Sequence, residues 1–428
     1  MERAQIILRP KEDLRLRGGH PWVYDNEISA TNGSPEPGAE VEVLDARKQP
    51  IGVGFWNAKS KIRARIYSRS LRPADIAFFR EAIGKAISWR KRFFDIERQS
   101  LRLVFGEADG IPGLIVDSFV GQPAEASNPS IAPASATLGK KNLAGIAPQR
   151  ILSIQFLSLG VEVRKAEILA ALAELLPSAG VAERSDASVR SLEGLPLTVG
   201  SLSGTVPACL IIEENGLLFG ADILGGQKTG WFLDQRANRA AAARFARPGA
   251  TGKGCRVLDA FCNAGGFGIA AAAAGASEVV AVDSSAEAAA QVRANAALNG
   301  LEAGIRVEEA NAFDFLRGLE RAKERFGLVV LDPPAFAKNR AAVEGAHRGY
   351  KDLNLRALKL LEPGGVLVTC SCSHWFGRDR FASMLEEAAR DAGRKLRLIE
   401  ERTQDLDHPI VTGYPESRYL KCLIVEAI

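Results

Sequence analysis

The stretch Val257-Leu258-Asp259-Ala260-Phe261-Cys262-Asn263-Ala264-Gly265-Gly266-Phe267-Gly268 decides the fold of this 428-residue chain. An apolar strand runs into a glycine-containing turn, and an alanine-rich helical stretch follows. Paired glycines let backbone approach a ligand beyond the carboxyl end of a strand, where open α/β sheets bind ligands. The dinucleotide fingerprint GxGxxG is absent, because Asp259 precedes a single glycine pair. An acid here suits the amino group of a zwitterionic ligand such as S-adenosylmethionine better than a pyrophosphate. A glycine turn that serves packing alone is the competing reading of the motif by itself.

Further strand-like runs alternate with helical stretches outward from this point: EVVAVD (278–283), IRVEEA (305–310), LVVLDPP (328–334) and GGVLVTCS (364–371). That rhythm predicts right-handed crossovers and a doubly wound, mostly parallel sheet, an α/β Rossmann-like domain over residues 206–428. Asp283, at the tip of the second strand, is placed to accept two ribose hydroxyls. Asn311 and Ala312, before Phe313, are expected beside an adenine ring. The cofactor-binding set is then Asp259, Phe261, Asn263, Gly265, Gly266, Asp283, Asn311, Ala312 and Asp332. Asp332-Pro333-Pro334 ends the fourth strand; the prolines stop the strand and project the carboxylate and nearby carbonyls into the cleft. Such a D-P-P signals methylation of a nucleobase. Cys370 and Cys372 share a face by the period of two, with Cys372 nearer the ligand crevice. Cys370 reads as a core thiol and Cys372 as a chemical one.

The rest of the chain is organised differently. Short β-like runs EVEVLDA, IGVGFW and KIRARIYS predict a compact β-rich domain over 1–73. Residues 74–98 read as a basic connecting helix, and 74–205 as a central α+β domain carrying LRLVFGEAD, GLIVDSF, ILSIQFLSL and EILAALAELL. Residues 121–148, rich in Ala, Pro, Ser and Gly, lack any period and are expected to form a flexible surface insertion. The composition, 46% hydrophobic and 25% charged, is that of globular domains and excludes a disordered or collagen-like chain. Six cysteines without a CxxC pair argue against a disulfide framework and against zinc, and the four histidines have no metal-ligand spacing. No apolar run approaches the roughly 20 residues that cross a bilayer, and MERAQIILRP lacks a signal-peptide core, so the expected location is cytoplasmic, without membrane or metal. The net charge is +4, yet residues 1–100 hold 19 Lys and Arg against 13 Asp and Glu, which hints at nucleic acid.

Taken in order, the motifs resemble the ribosomal RNA large subunit methyltransferase I family, S-adenosylmethionine-dependent enzymes that make 5-methylcytidine in 23S rRNA. The resemblance spans nearly the whole chain. It rests on RGGHPWVY (17–24) and NAKSKI (57–62) in a PUA-like domain, and on FGEADGIPGL (105–114) in the central domain. It continues through ERSD (183–186), GQKTGWFLDQR (226–236), the strand motifs above, DHP (407–409) and YLK (419–421). It implies an RNA-binding PUA domain, S-adenosylmethionine as cofactor, and 23S rRNA or an assembling large subunit as partner. It also puts 227–236 near cofactor or base, with Phe232 against the cofactor or the sheet. His20 and Trp22 are candidates for RNA contact or core anchors. Two departures stand out: the long insertion, and Asn311 where the family commonly has Asp, although its amide oxygen still accepts from an adenine amino group.

Cytosine C5 is a poor nucleophile, so its methylation requires a thiolate to add at C6. The expected catalytic pair is Cys372 as that thiol and Asp332 orienting the base. Two-cysteine RNA cytosine methyltransferases carry a second Cys just after D-P-P; Ala335 stands there, leaving the proton acceptor to water or a carboxylate. Two other readings compete. One is thiol-free methylation of an exocyclic amine or guanine nitrogen, favoured by Phe336 beside D-P-P. The other is a non-catalytic RNA-binding assembly factor. The modified nucleotide and the oligomeric state, a homodimer included, stay open.

Overall fold

The computed structural model describes residues 3–124, 147–226, 229–248, 252 and 254–428. The first sheet comprises β1 (Ala4–Leu8), β2 (Trp22–Tyr24), β3 (Ile28–Asn32), β4 (Glu40–Leu44), β5 (Pro50–Trp56) and β6 (Ile62–Ser68), in the order β2-β6-β5-β4-β1-β3. Strand alternation sends Val41 and Val43 into a core with Ile6, Leu8, Val23 and Ile66. The helix Ile76–Arg90 follows, its first turn capped by Asp75, which accepts from Phe78 N–H. It is shorter than the expected 74–98, because the chain breaks into turns after Arg90. It is also no mere connector: Phe78, Phe79, Ile83 and Ile87 are buried in the core of the central domain.

The second sheet comprises β7 (Leu101–Phe105), β8 (Leu114–Pro123), β9 (Gln149–Phe156), β10 (Gly180–Ser185), β11 (Thr198–Gly204), β12 (Leu210–Glu214) and β13 (Leu217–Ala221). Its order is β11-β10-β9-β8-β12-β13, with β7 on β8. The sheet therefore runs past the expected boundary at 205/206 to Ala221, because β12 pairs with β8 (Leu210 opposite Pro123). The expected insertion also starts too early, since residues 121–123 complete β8, with Gly121 opposite Gln149. Of the remainder, 124 and 147–148 lie outside any strand, and 125–146 lies outside the described residues.

The third sheet holds β14 (Arg256–Ala260), β15 (Glu278–Asp283), β16 (Ile305–Glu309), β17 (Phe326–Leu331), β18 (Leu361–Ser371), β19 (Leu396–Arg402) and β20 (Lys421–Ala427). The order is β16-β15-β14-β17-β18-β20-β19, with the first five parallel and β20 antiparallel to both neighbours. Helices cover both faces, so β14, β15 and β17 are apolar almost throughout. Chain order reverses direction at β14, which has β15 on one side and β17 on the other. That switch point opens a crevice at the carboxyl ends of the strands.

Charged contacts tie the three sheets together. Arg65 bonds Glu107 at 2.8 Å and Glu193 at 2.9 Å, and Trp22 Nε1 donates to Glu107 at 2.8 Å. Near the third sheet, Asp407 accepts from Arg102 N–H at 2.9 Å and pairs with Arg236 at 3.3 Å. Among the described residues no helix is long and apolar enough to cross a membrane.

Candidate active site

The carboxyl ends of β14, β15 and β17 and the turn after β18 line a cavity of about 460 Å³, within the range of small-ligand pockets. One wall is the turn after β14. Here Phe261 and Asn263 adopt left-handed backbone, φ 62° and 49°, and Gly265 follows at φ 83°. Non-glycine residues in this region carry strain of about 1–3 kcal/mol each. Four hydrogen bonds offset it: Cys262 N–H to Val282 O (3.0 Å), Asn263 N–H to Asp283 Oδ2 (2.9 Å), Gly265 N–H to Cys262 O (2.8 Å) and Gly268 N–H to Asp259 Oδ2 (2.7 Å). Close approach also demands glycine at 266, where a Cβ would sit 2.7 Å from Arg239 Cδ.

Phe232, Phe261, Asn263, Gly266, Asp283, Asp332 and Cys372 all line this cavity. The other four expected cofactor residues do not. Gly265 shapes the turn from behind. Asn311 is exposed, and its amide oxygen, expected to accept from adenine, instead caps the following helix by accepting from Phe313 and Asp314 N–H. Ala312 is buried in that helix's first turn. Asp259 lies beneath the turn rather than on the wall, because its place in the pleat faces it toward the helix Gly266–Ala273.

Asp259 is fully buried, and its Oδ1 has no hydrogen-bond partner. Burial raises its pKa to about 7; the Gly268 hydrogen bond opposes this, while the charges of Asp332 and Asp283 add to it. Asp283 and Asp332 thus line the crevice, and Asp259, with its orphaned oxygen, lies buried beneath it. Negative charge so placed favours a ligand carrying positive charge, as S-adenosylmethionine does on its sulfonium and ammonium. Asp283 accepts from Asn263 and Ser285 N–H and retains lone pairs for ribose hydroxyls.

On the opposite wall, Asp332 Oδ2 accepts from Gln235 Nε2 at 2.9 Å; Gln235 Oε1 in turn accepts from Asn238 at 2.7 Å. Arg239 faces the cavity while its guanidinium is committed to buried Glu214 at 2.6 Å. Cys372 sits just beyond β18, in a turn braced by Tyr350, whose hydroxyl bonds Ser371 at 3.0 Å and Ser373 at 2.9 Å. Cys370 is fully buried opposite Cys422, and that contact and burial push its pKa well up.

Sequence reading missed the roles of Gln235, Arg239 and Ser285. The first two lay in or near the GQKTGWFLDQR stretch, but only tertiary pairing shows which wall they face. His20 and Trp22 turn inward: His20 bonds Glu416 at 3.2 Å and packs edge-on to Trp22 and Tyr414. His347 and His408 pair with Glu387 and Asp407. Among the described residues no cluster of three His, Cys, Asp or Glu could hold a metal.

Residues 6–69 match a PUA-like domain family, and residues 196–423 match an S-adenosylmethionine-dependent methyltransferase family. Proteins named ribosomal RNA large subunit methyltransferase I are similar over almost the full length. The one from Tolumonas auensis is 38% identical, covering 99% of both chains; that from Salmonella arizonae is 35% identical, covering 97% of this chain and 96% of its own. Among solved structures, a candidate SAM-dependent methyltransferase from Streptococcus mutans superposes with a TM-score of 0.78 at 18% identity, covering 99% of both chains. A candidate methyltransferase complexed with SAH gives 0.77 at 18% identity, covering both chains fully.

Proposed function

The chain belongs to the ribosomal RNA large subunit methyltransferase I family of S-adenosylmethionine-dependent enzymes, and on that premise we propose that it forms 5-methylcytidine in 23S rRNA through a covalent cysteine adduct. The observation that carries this reading is the shared cavity: Cys372 and Asp332 line the same space as Asp283 and Asn263. A thiol, a base-orienting carboxylate and a nucleoside site meet there.

When bound, the cofactor supplies an electrophilic methyl group on a sulfonium. Asp283 and the 261–266 turn hold its nucleoside end, and buried Asp259 supplies opposite charge beneath. The Cys372 thiolate adds to C6 of cytosine, and the electron pair of the C5–C6 bond becomes available at C5 for bond formation with the methyl carbon. Asp332, held by Gln235, accepts a hydrogen bond from the exocyclic amine and so orients the base. The C5 proton then passes to water or a carboxylate, and the thiolate leaves as the C5–C6 double bond reforms. The basic PUA-like domain holds the RNA.

An RNA containing 5-fluorocytidine tests this, because C5 then has no proton to lose. The expected result is a gel-shifted adduct that maps to Cys372 by mass spectrometry. A protein that methylates rRNA at nitrogen and gives no adduct would establish the thiol-free alternative. Absence of any cofactor binding would leave the non-catalytic assembly factor.

A further inference from the structure

We infer that Lys421 is a positioning residue for the nucleophile, an ammonium held alongside the Cys372 turn so that the sulfur is kept as thiolate. This rests on the reading of Cys372 as nucleophile. It begins with strand register: Ser371, the last residue of β18, pairs with Lys421, the first residue of β20. From there the lysine side chain reaches forward past Cys372, and its Nζ donates to the carbonyl of Ser373 at 2.6 Å and to that of Tyr419 at 3.0 Å. The ammonium therefore bonds the backbone on the far side of Cys372 from its own strand partner.

Lys421 is only 9% exposed. A buried ammonium is costly unless an anion answers it. An ammonium has three donors, and carbonyls take two of them. Lys421 forms no ion pair with a carboxylate among the described residues. Desolvation lowers its pKa to about 8, and a thiolate at Cys372 would oppose that fall.

On the same turn His374 is exposed and packs edge-on against Trp375, while the titratable groups on the neighbouring elements are committed elsewhere or lie across the cavity. Tyr350, on the helix Val343–Leu360, bonds Ser371 and Ser373. The Tyr419 hydroxyl donates to Asp234 at 2.5 Å. Asp332 takes the Gln235 amide, and Asp332 and Asp234 both line the cavity. Their negative charge disfavours a thiolate, so a cation close to the sulfur is what the chemistry requires.

The test is the pH dependence of Cys372 alkylation by iodoacetamide in the full-length protein, read peptide by peptide to separate the six thiols. The wild-type midpoint should lie below the ordinary cysteine value of about 8.5. In Lys421→Met it should rise by about one pH unit or more, roughly a tenfold loss of thiolate at neutral pH. Calorimetric S-adenosylmethionine affinity should stay unchanged, which confirms the fold. An equal midpoint in both proteins overturns the inference; so does a wild-type midpoint at or above 8.5, which decides the matter even if the variant does not fold. The 5-fluorocytidine adduct separates this from the parent reading. An adduct with unchanged midpoints sinks only the Lys421 role, while a shifted midpoint without any adduct sinks only the cytosine chemistry.

Discussion

Two thiols two residues apart meet opposite surroundings. Cys370 faces Cys422 inside the sheet, where a thiolate has neither water nor cation. Cys372, one step beyond the strand, faces the cavity. Cys372→Ala should abolish methyl transfer while leaving cofactor affinity nearly intact. Cys370→Ala should retain activity and lose about 1 kcal/mol of stability by denaturant unfolding. Reversal of that pattern would transfer the nucleophile to Cys370. Asp259 gives a pH-dependent counterpart. Its folded pKa is raised from 3.8 to about 7, so the stabilisation from its retained proton is fully present below 3.8 and is lost as pH rises through 7. Asp259→Asn should flatten the fall in apo-protein stability between those pH values, by a difference of roughly 4 kcal/mol for a fully buried group. In the wild type, a cationic ligand favours the carboxylate, so calorimetric S-adenosylmethionine affinity should increase as pH rises toward 7 and then level off. Affinity independent of pH would remove Asp259 from the site's electrostatics.

At the scale of elements, the turn between β14 and the helix Gly266–Ala273 does most of the positioning. Gly266→Ala places a methyl where Arg239 Cδ now lies, 2.7 Å away. Arg239 is fixed by Glu214 and cannot retreat cheaply. Cofactor affinity should therefore fall about tenfold, a cost of roughly 1.4 kcal/mol, with the circular dichroism spectrum unchanged; full affinity would mean that the turn yields. This turn was legible because a buried parallel strand must be apolar and because a crossover here needs glycine. What could not be read had physical causes too. Strand β19 runs Leu-Arg-Leu-Ile-Glu-Glu-Arg at an exposed edge, with no apolar run to mark it. Strands β12 and β13 join a sheet whose partner β8 lies some 90 residues earlier, so local pattern could not place the domain boundary. Asn311 was read as an acceptor for an adenine amino group, but asparagine before a helix is also a good cap, and the Phe313 and Asp314 N–H groups claim the oxygen.

Across the whole molecule, the interfaces and the surface divide the basic residues into two kinds. Buried Arg65 joins the PUA-like domain to the central one through Glu107 and Glu193, and buried Arg236 is neutralised by Asp405 and Asp407 of its own domain while it donates across to the Ser100 carbonyl, so none of that charge is available to a nucleic acid. Arg47, Lys48, Lys59 and Lys61 of the PUA-like domain are exposed and form no ion pair among the described residues. Exposed, unpaired cations of this kind release counterions from RNA, so log affinity should fall linearly with log salt, by about 0.7 for each single-strand phosphate contacted. Replacing all four with Gln should weaken binding of rRNA fragments. It should also reduce the salt slope by about 3 if each meets one phosphate. Cofactor binding should be unaffected, since the cavity draws no residue from the first sheet. Fluorescence anisotropy titrations across a salt series measure both quantities. An unchanged slope would assign RNA binding to another face and leave this domain the task that His20, Trp22 and Arg65 already perform, bracing the molecule behind the site.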